Sequence, residues 1–190
     1  RPPLVRPPAD IPAHARHLQN TFKQARERAR QDIGGFDERP LFKLEVGQFS
    51  PEEIKKGFPG VEVLSQEEGG YALIFASQDA LADFEARLTT LEKGKKPKYA
   101  AILYALRAFD HWSEEDRKGW ALKREGLPRQ RPFMLDVEMW PVTLKRDREA
   151  MVRAFHAWLE QEGIQRLDSI NIEGLVLYRL RVDHDQAALL

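Results

Sequence analysis

Apolar positions along the chain follow two periods, one helical and one alternating, and these periods succeed each other in an order that occurs twice. From about Ala13 to Asp32, AHARHLQNTFKQARERARQD sets Leu18, Phe22 and Ala25 on one side of a helix and Arg16, Lys23, Arg26, Arg28 and Arg30 around the rest, with Gly34 and Gly35 expected to end it. In LFKLEV, Phe42, Leu44 and Val46 alternate with Lys43 and Glu45, which predicts a half-buried strand. SPEE opens a short helix, with Ser50 as N-cap, Pro51 at the first helical position and Glu53 closing a capping box; Gly57, Pro59 and Gly60 stop it. VEVLSQEEGGYALIFAS reads as two strands joined at Gly69-Gly70. SQDALADFEARLTTL then reads as a helix that buries Leu81, Phe84, Leu88 and Leu91.

The same order returns near the C-terminus. Phe133, Leu135, Val137 and Met139 predict the inward positions of a strand, and Met151, Val152, Phe155, Trp158 and Leu159 line one side of a helix. IQRLDSINI and LVLYRLRV form a hairpin around Glu173-Gly174, and DHDQAALL opens a helix where SQDALADFEARL opened one in the first copy. Few residues are identical, so the repeat is one of architecture, a duplicated βαββα unit. Between the copies, KGKKPK is a basic turn, and YAAILYALRAF places Tyr99, Ile102, Leu103, Leu106 and Phe109 on one helical face. SEEDRKGWALKREG adds a further helix capped by Ser113, with Asp116 in its first turn. The expected fold class is α+β, two ferredoxin-like units of the split βαβ kind joined by a helical bridge. The expected division is 1–39 proline-rich arm and basic helix, 40–95 first unit, 96–131 bridge, and 132–190 second unit, which stops in its last helix.

In such a unit helices cover one face of the sheet and leave the other open. Alternation sends Val176, Tyr178, Leu180 and Val182 inward beside Phe133, Leu135, Val137 and Met139. It leaves Met134, Asp136, Glu138, Trp140, Leu177, Arg179 and Arg181 on the open face. Two readings of that face are compatible. Asp136 and Glu138 pair across strands with Arg179 and Arg181, or the face docks on another protein, with Trp140 and Met134 supplying apolar contact and the acids accepting hydrogen bonds.

Composition narrows the function classes. The 190 residues are 42% hydrophobic, enough for a core, and 30 basic against 30 acidic side chains leave no net field to steer the protein onto nucleic acid or an anionic membrane. The absence of cysteine excludes disulfides, thiolate nucleophiles and Cys-based zinc sites. RPPLVRPPADIPAH lacks the apolar segment of an export signal, and no apolar run approaches the ~20 residues of a membrane span, so a soluble, cytoplasmic protein is expected.

The motifs of catalysis are missing from the sequence. No Gly-x-Ser-x-Gly elbow and no phosphate-cradling glycine loop occurs. His14 and His17 lie three apart and could share a metal, but no third ligand is near, and surface histidines are the expected outcome. His156 reads as a boundary residue, and DHD at 183–185 as a helix cap matching Ser77–Asp79. Glu67-Glu68 and Glu114-Glu115 sit at a turn and a helix start, where acids are ordinary. No catalytic, metal or cofactor residue is expected in this segment, and no cofactor. The basic first helix reads as a solvated surface helix with a narrow apolar stripe, in preference to a phosphate-binding one.

GGFDERPLFKLEV, EVLSQEEGGYALIFAS, KPKYAAILYAL, EEDRKGWALKREGLP and FMLDVEMWP, together with the proline-rich basic start, resemble the region upstream of the catalytic domain in large bacterial subtilisin-like serine proteases of the S8 family. The resemblance covers nearly the whole chain by segments, without a diagnostic motif. It implies a ferredoxin-like, propeptide-like domain that lays its open face on the protease, with Asp136 and Glu138 by position the acids that cap protease helices. The partners it implies are a downstream subtilisin-like catalytic domain beyond Leu190 and an AAA-type ATPase. Two units with a bridge depart from the single propeptide domain, so cleavage and inhibition do not carry over. The expected function is a non-catalytic segment that assists folding, restrains the protease or recruits partners. The alternative is a ferredoxin-like nucleic-acid-binding module, since such sheets stack bases and the first helix is basic; acids on the open face and the lack of an RNP-type aromatic pair rank it second. A paired ligand-binding regulatory domain ranks third, because no glycine-rich ligand loop recurs in the two copies.

Overall fold

A computed structural model describes residues 5–31, 41–47, 49–67, 69–75, 77–129, 131–140, 142 and 145–190. The chain is α+β and forms two compact units that part between Ser113 and Glu114, each with its own antiparallel sheet. The expected helix terminator Gly34-Gly35 and the acid Glu68 lie outside the described residues, as do the first four residues of the proline-rich arm. No helix among the described residues is long and apolar enough to cross a membrane.

The first unit opens with α1 (Ile11–Gln31). Asp10 starts it by accepting the Ala13 amide at 2.8 Å. One stripe of this basic helix, Ala15, Leu18, Phe22 and Ala25, is buried. β1 (Leu41–Val46), α2 (Pro51–Gly57), β2 (Val61–Glu67), β3 (Gly70–Phe75) and α3 (Gln78–Glu92) follow in the expected order. Ser50 and Glu53 form the capping box of α2, and Ser77 accepts the Ala80 amide at the head of α3. α4 (Ala100–Ala105) leads into β4 (Leu106–His111), and the sheet order is β2-β3-β1-β4. β3 therefore lies between β1 and β2, as a split βαβ requires.

The expected helical bridge is corrected here. Leu106–His111 is the fourth strand of the first sheet, not the second half of a helix. Leu106 and Phe109 are three apart, a helical spacing, yet both point inward from a strand. The register along β1 explains this: Val46 faces Leu106 and Glu45 faces Ala108, so Arg107 is an extra residue that resets the alternation. α1 belongs to this unit: Phe22 packs against Phe42 and Phe109 with ring centroids 5.3 and 5.0 Å apart.

The second unit begins with two short helices, α5 (Glu114–Arg117) and α6 (Trp120–Glu125), where one was expected; Gly119 in extended conformation separates them. β5 (Phe133–Glu138), α7 (Lys145–Gln161), β6 (Gln165–Ile172), β7 (Leu175–Val182) and α8 (His184–Leu189) then repeat the first unit's order. The sheet order β5-β7-β6 again puts the hairpin's return strand in the middle. Phe155, Leu159, Val176, Tyr178, Leu180 and Val182 form the core between α7 and the sheet.

Candidate docking face of the second unit

β7 is the central strand, and its two faces differ sharply. Val176, Tyr178, Leu180 and Val182 are at most 1% exposed, while Leu175, Leu177, Arg179 and Arg181 look the other way. Residues directly opposite in an antiparallel pair share a face, so the pairings of β7 define the open surface row by row. Met134, Arg181 and Gln165 form one row; Asp136, Arg179 and Asp168 the next; Glu138, Leu177 and Ile170 a third; Leu175 and Ile172 close it at the hairpin end. Trp140, two residues after Glu138, is half-buried at the end of β5.

The candidate residues Met134, Asp136, Glu138, Leu177, Arg179 and Arg181 are thus brought together on one surface. Its middle row is an ion network. Both nitrogens of the Arg179 fork reach both Asp136 oxygens at 2.8 Å, and Asp168 adds negative charge on the far side of the guanidinium. Hydrogen bonding from Arg179 holds the Asp136 carboxyl below its ordinary value. The cross-strand pairing expected for Asp136 is therefore present, and this carboxylate is engaged within the sheet. Glu138 faces Leu177 instead of an arginine, and Glu138 and Arg181 form no ion pair among the described residues.

Apolar groups flank the ion network. Met134 is 68% exposed, and Ile172 and Ile170 are 58% and 45% exposed, beside half-buried Leu175 and Leu177. Ile170 and Ile172 were not among the expected face residues. Their signal was the alternation in SINI, together with the Glu173-Gly174 turn, which fixes Ile172 opposite Leu175. The phase is hidden upstream because the β6–β7 register shifts between Arg166 and Asp168. All eight residues of β6 are exposed, as befits an edge strand that its helix barely covers.

The other candidates resolve into structural roles. His14 and His17 do not converge on a shared ion; each uses Nε2 to donate to a backbone carbonyl at 2.9 Å, His14 to Leu103 and His17 to Arg107. Asp183 caps α8 in a reciprocal box with Gln186. Glu114 and Glu115 both bind Lys118. In Asp110, burial pushes the carboxyl up, but hydrogen bonds from His111 and the charge of Lys43 outweigh it and hold the group below its ordinary value.

His156 sits on the covered side of the second sheet. Its Nε2 lies 2.9 Å from the Tyr178 hydroxyl and 2.8 Å from Arg166 Nη1. Arginine can only donate, so Nε2 is the unprotonated acceptor. Burial, and then the Arg166 charge, lower the His156 pKa. The folded state therefore keeps this ring neutral, and the unfolded chain binds its proton more readily. This contribution is complete above the unfolded pKa of about 6.5 and is lost as pH falls through the lower folded one. Denaturant titrations are expected to give an unfolding free energy of the second unit that declines from pH 7 to pH 5, and His156→Gln should flatten the decline. A slope unchanged by the substitution would assign it to other groups.

Comparison with known proteins follows the division seen in the fold. Residues 12–113 match the Y4kK N-terminal domain and residues 116–190 the Y4kK central domain, which places the boundary where the two compact units part. A curated relative, "Uncharacterized protein y4kK" of Sinorhizobium fredii (strain NBRC 101917 / NGR234), is 23% identical over 189 residues, covering 93% of this chain and 61% of the relative. The chain thus spans about three-fifths of that relative's length. No solved structure matches. The chain belongs to the Y4kK family, its first unit being the N-terminal domain and its second the central domain.

Proposed function

We propose that this chain is a non-catalytic segment that grips another folded protein domain through the open face of its second sheet. The observation that carries this reading is the pair of apolar rows at the hairpin end, exposed Ile170 with half-buried Leu177 and exposed Ile172 with half-buried Leu175, beside a Glu138 carboxylate that forms no ion pair among the described residues. Exposed apolar groups next to hydrogen-bonding acids are the composition of an interface core with a polar rim. As to the partner, the segment resemblance points to a subtilisin-like catalytic domain, with a ferredoxin-like second unit in the role of a propeptide and cytoplasmic assembly with an AAA-type ATPase as its setting. In that reading Glu138 is the acid available to an exposed helix N-terminus, since Asp136 is held by Arg179.

The test is to titrate the chain into a purified subtilisin-like catalytic domain while following hydrolysis of a chromogenic peptide, and to measure binding in parallel. Saturable binding, with a change in hydrolysis or in refolding yield, is the expected result. Ile172→Asp should weaken binding about 30-fold or more, the size of a central interface residue losing its contact. Binding that ignores Ile172→Asp and Ile170→Asp would remove the open face from the reading, and no binding at all would remove the protease.

A further inference from the structure

The two units share an order of elements but differ at one edge of their sheets. In the first unit β1 is flanked on both sides, by β3 and by β4. Its inward residues Phe42, Leu44 and Val46 are 0%, 2% and 4% exposed. In the second unit β5 has β7 on one side and, among the described residues, no strand on the other. Its inward residues Phe133, Leu135 and Val137 remain half-buried.

The polar groups of that edge can be assigned. The Met139 amide donates to the Val176 carbonyl at 2.8 Å, so backbone groups of 139, 137, 135 and 133 face β7, and by alternation those of Met134, Asp136 and Glu138 face outward. A sheet edge whose outward amides meet no strand among the described residues, beside a half-covered apolar row, is a template for one more strand. In the first unit the equivalent edge is filled by β4, whose Leu106 and Phe109 enter the core. Its charges match those of β1: Arg107 lies 3.3 Å from Glu45, and Asp110 3.9 Å from Lys43.

We infer that β5 receives a fourth, antiparallel strand, and that this strand comes from the part of the Y4kK polypeptide C-terminal to the central domain. The second unit corresponds to the family's central domain, and the S. fredii relative is longer than the stretch it shares with this chain, which covers 61% of it. The first unit supplies the pattern, because its edge strand comes from the residues that follow its last long helix. The incoming strand carries apolar side chains that complete the cover of Phe133, Leu135 and Val137, and a lysine or arginine beside Glu138. A second copy of β5 fits poorly, since centring the pair on Asp136 sets like charges opposite each other.

Hydrogen exchange read residue by residue tests this directly. In the 190-residue chain the amides of Met134, Asp136 and Glu138 should exchange freely while those of Leu135 and Val137 are protected. In the full-length S. fredii relative the alternate, outward amides of the corresponding strand should gain about tenfold protection or more over the same protein trimmed to the shared stretch. Equal exchange in the long and trimmed forms would overturn the inference. So would protection already present in the trimmed form, or protection that rises with protein concentration. Substitutions at Ile170 and Ile172, which test the open face, leave these amides unchanged, so this result and the docking result stand or fall separately.

Discussion

Gly70→Ala is expected to destabilise the first unit by about 3 kcal/mol or more, the range in which overpacking displaces backbone. A Cβ on Gly70 would lie 1.8 Å from the Leu44 carbonyl oxygen, 2.8 Å from its carbon and 3.1 Å from the Glu45 Cα. No side-chain rotation relieves a clash with backbone, so β1 must move away from β3, and the central pairing of the sheet goes with it. The neighbouring Gly69 has φ +78° and open space around it. Gly69→Ala therefore meets only the left-handed backbone penalty, about 1–2 kcal/mol. Thermal and denaturant unfolding of the two variants should separate them clearly. Equal losses would mean that the doublet serves only as a turn.

Phe22→Ala is the second large effect, about 3–5 kcal/mol. Phe22 is 2% exposed, and its ring centroid lies 5.3, 5.7, 5.2 and 5.0 Å from those of Phe42, Phe75, Phe84 and Phe109. Truncation leaves a cavity bordered by four rings held on the sheet and α3, which cannot all close on it. Lys23→Ala, at an exposed position one residue on, should change stability by no more than about 0.5 kcal/mol. A loss below about 1 kcal/mol for Phe22→Ala would show that α1 is not part of this core.

Local chemistry was legible where one residue decides one feature. Ser50 with Glu53, Ser77, and Asp183 with Gln186 cap the helices whose starts they signal. Phe42, Leu44 and Val46 alternate inward, and so do the residues of β7. Legibility failed where the period was interrupted. Arg107 inserts one residue into β4, and the resulting spacing of Leu106 and Phe109 imitates a helix. The register shift near Leu167 likewise concealed which side of β6 shares the open face, so Ile170 and Ile172 went unassigned. Of the candidate face, the charged pair Asp136–Arg179 followed from strand order and period. That Glu138 faces Leu177, with no arginine partner among the described residues, depended on register, which only the folded pairing supplies. The placement of α1 was hidden for a different reason: its apolar stripe says that something is buried, but not against which element.

α1 also finishes β4. His17 donates to the Arg107 carbonyl, Thr21 Oγ1 accepts the Phe109 amide at 3.3 Å, and Arg28 reaches Asp110 at 3.5 Å. These contacts join positions 90, 88 and 82 apart in sequence. On the ribosome, the helix made first can meet β1, β3 and α3 as they emerge, but its cover is incomplete until the strand made last arrives, and closing so long a loop comes late and slowly. Newborn chains will therefore carry the stripe of α1 only partly covered until β4 is made, a natural handle for chaperones.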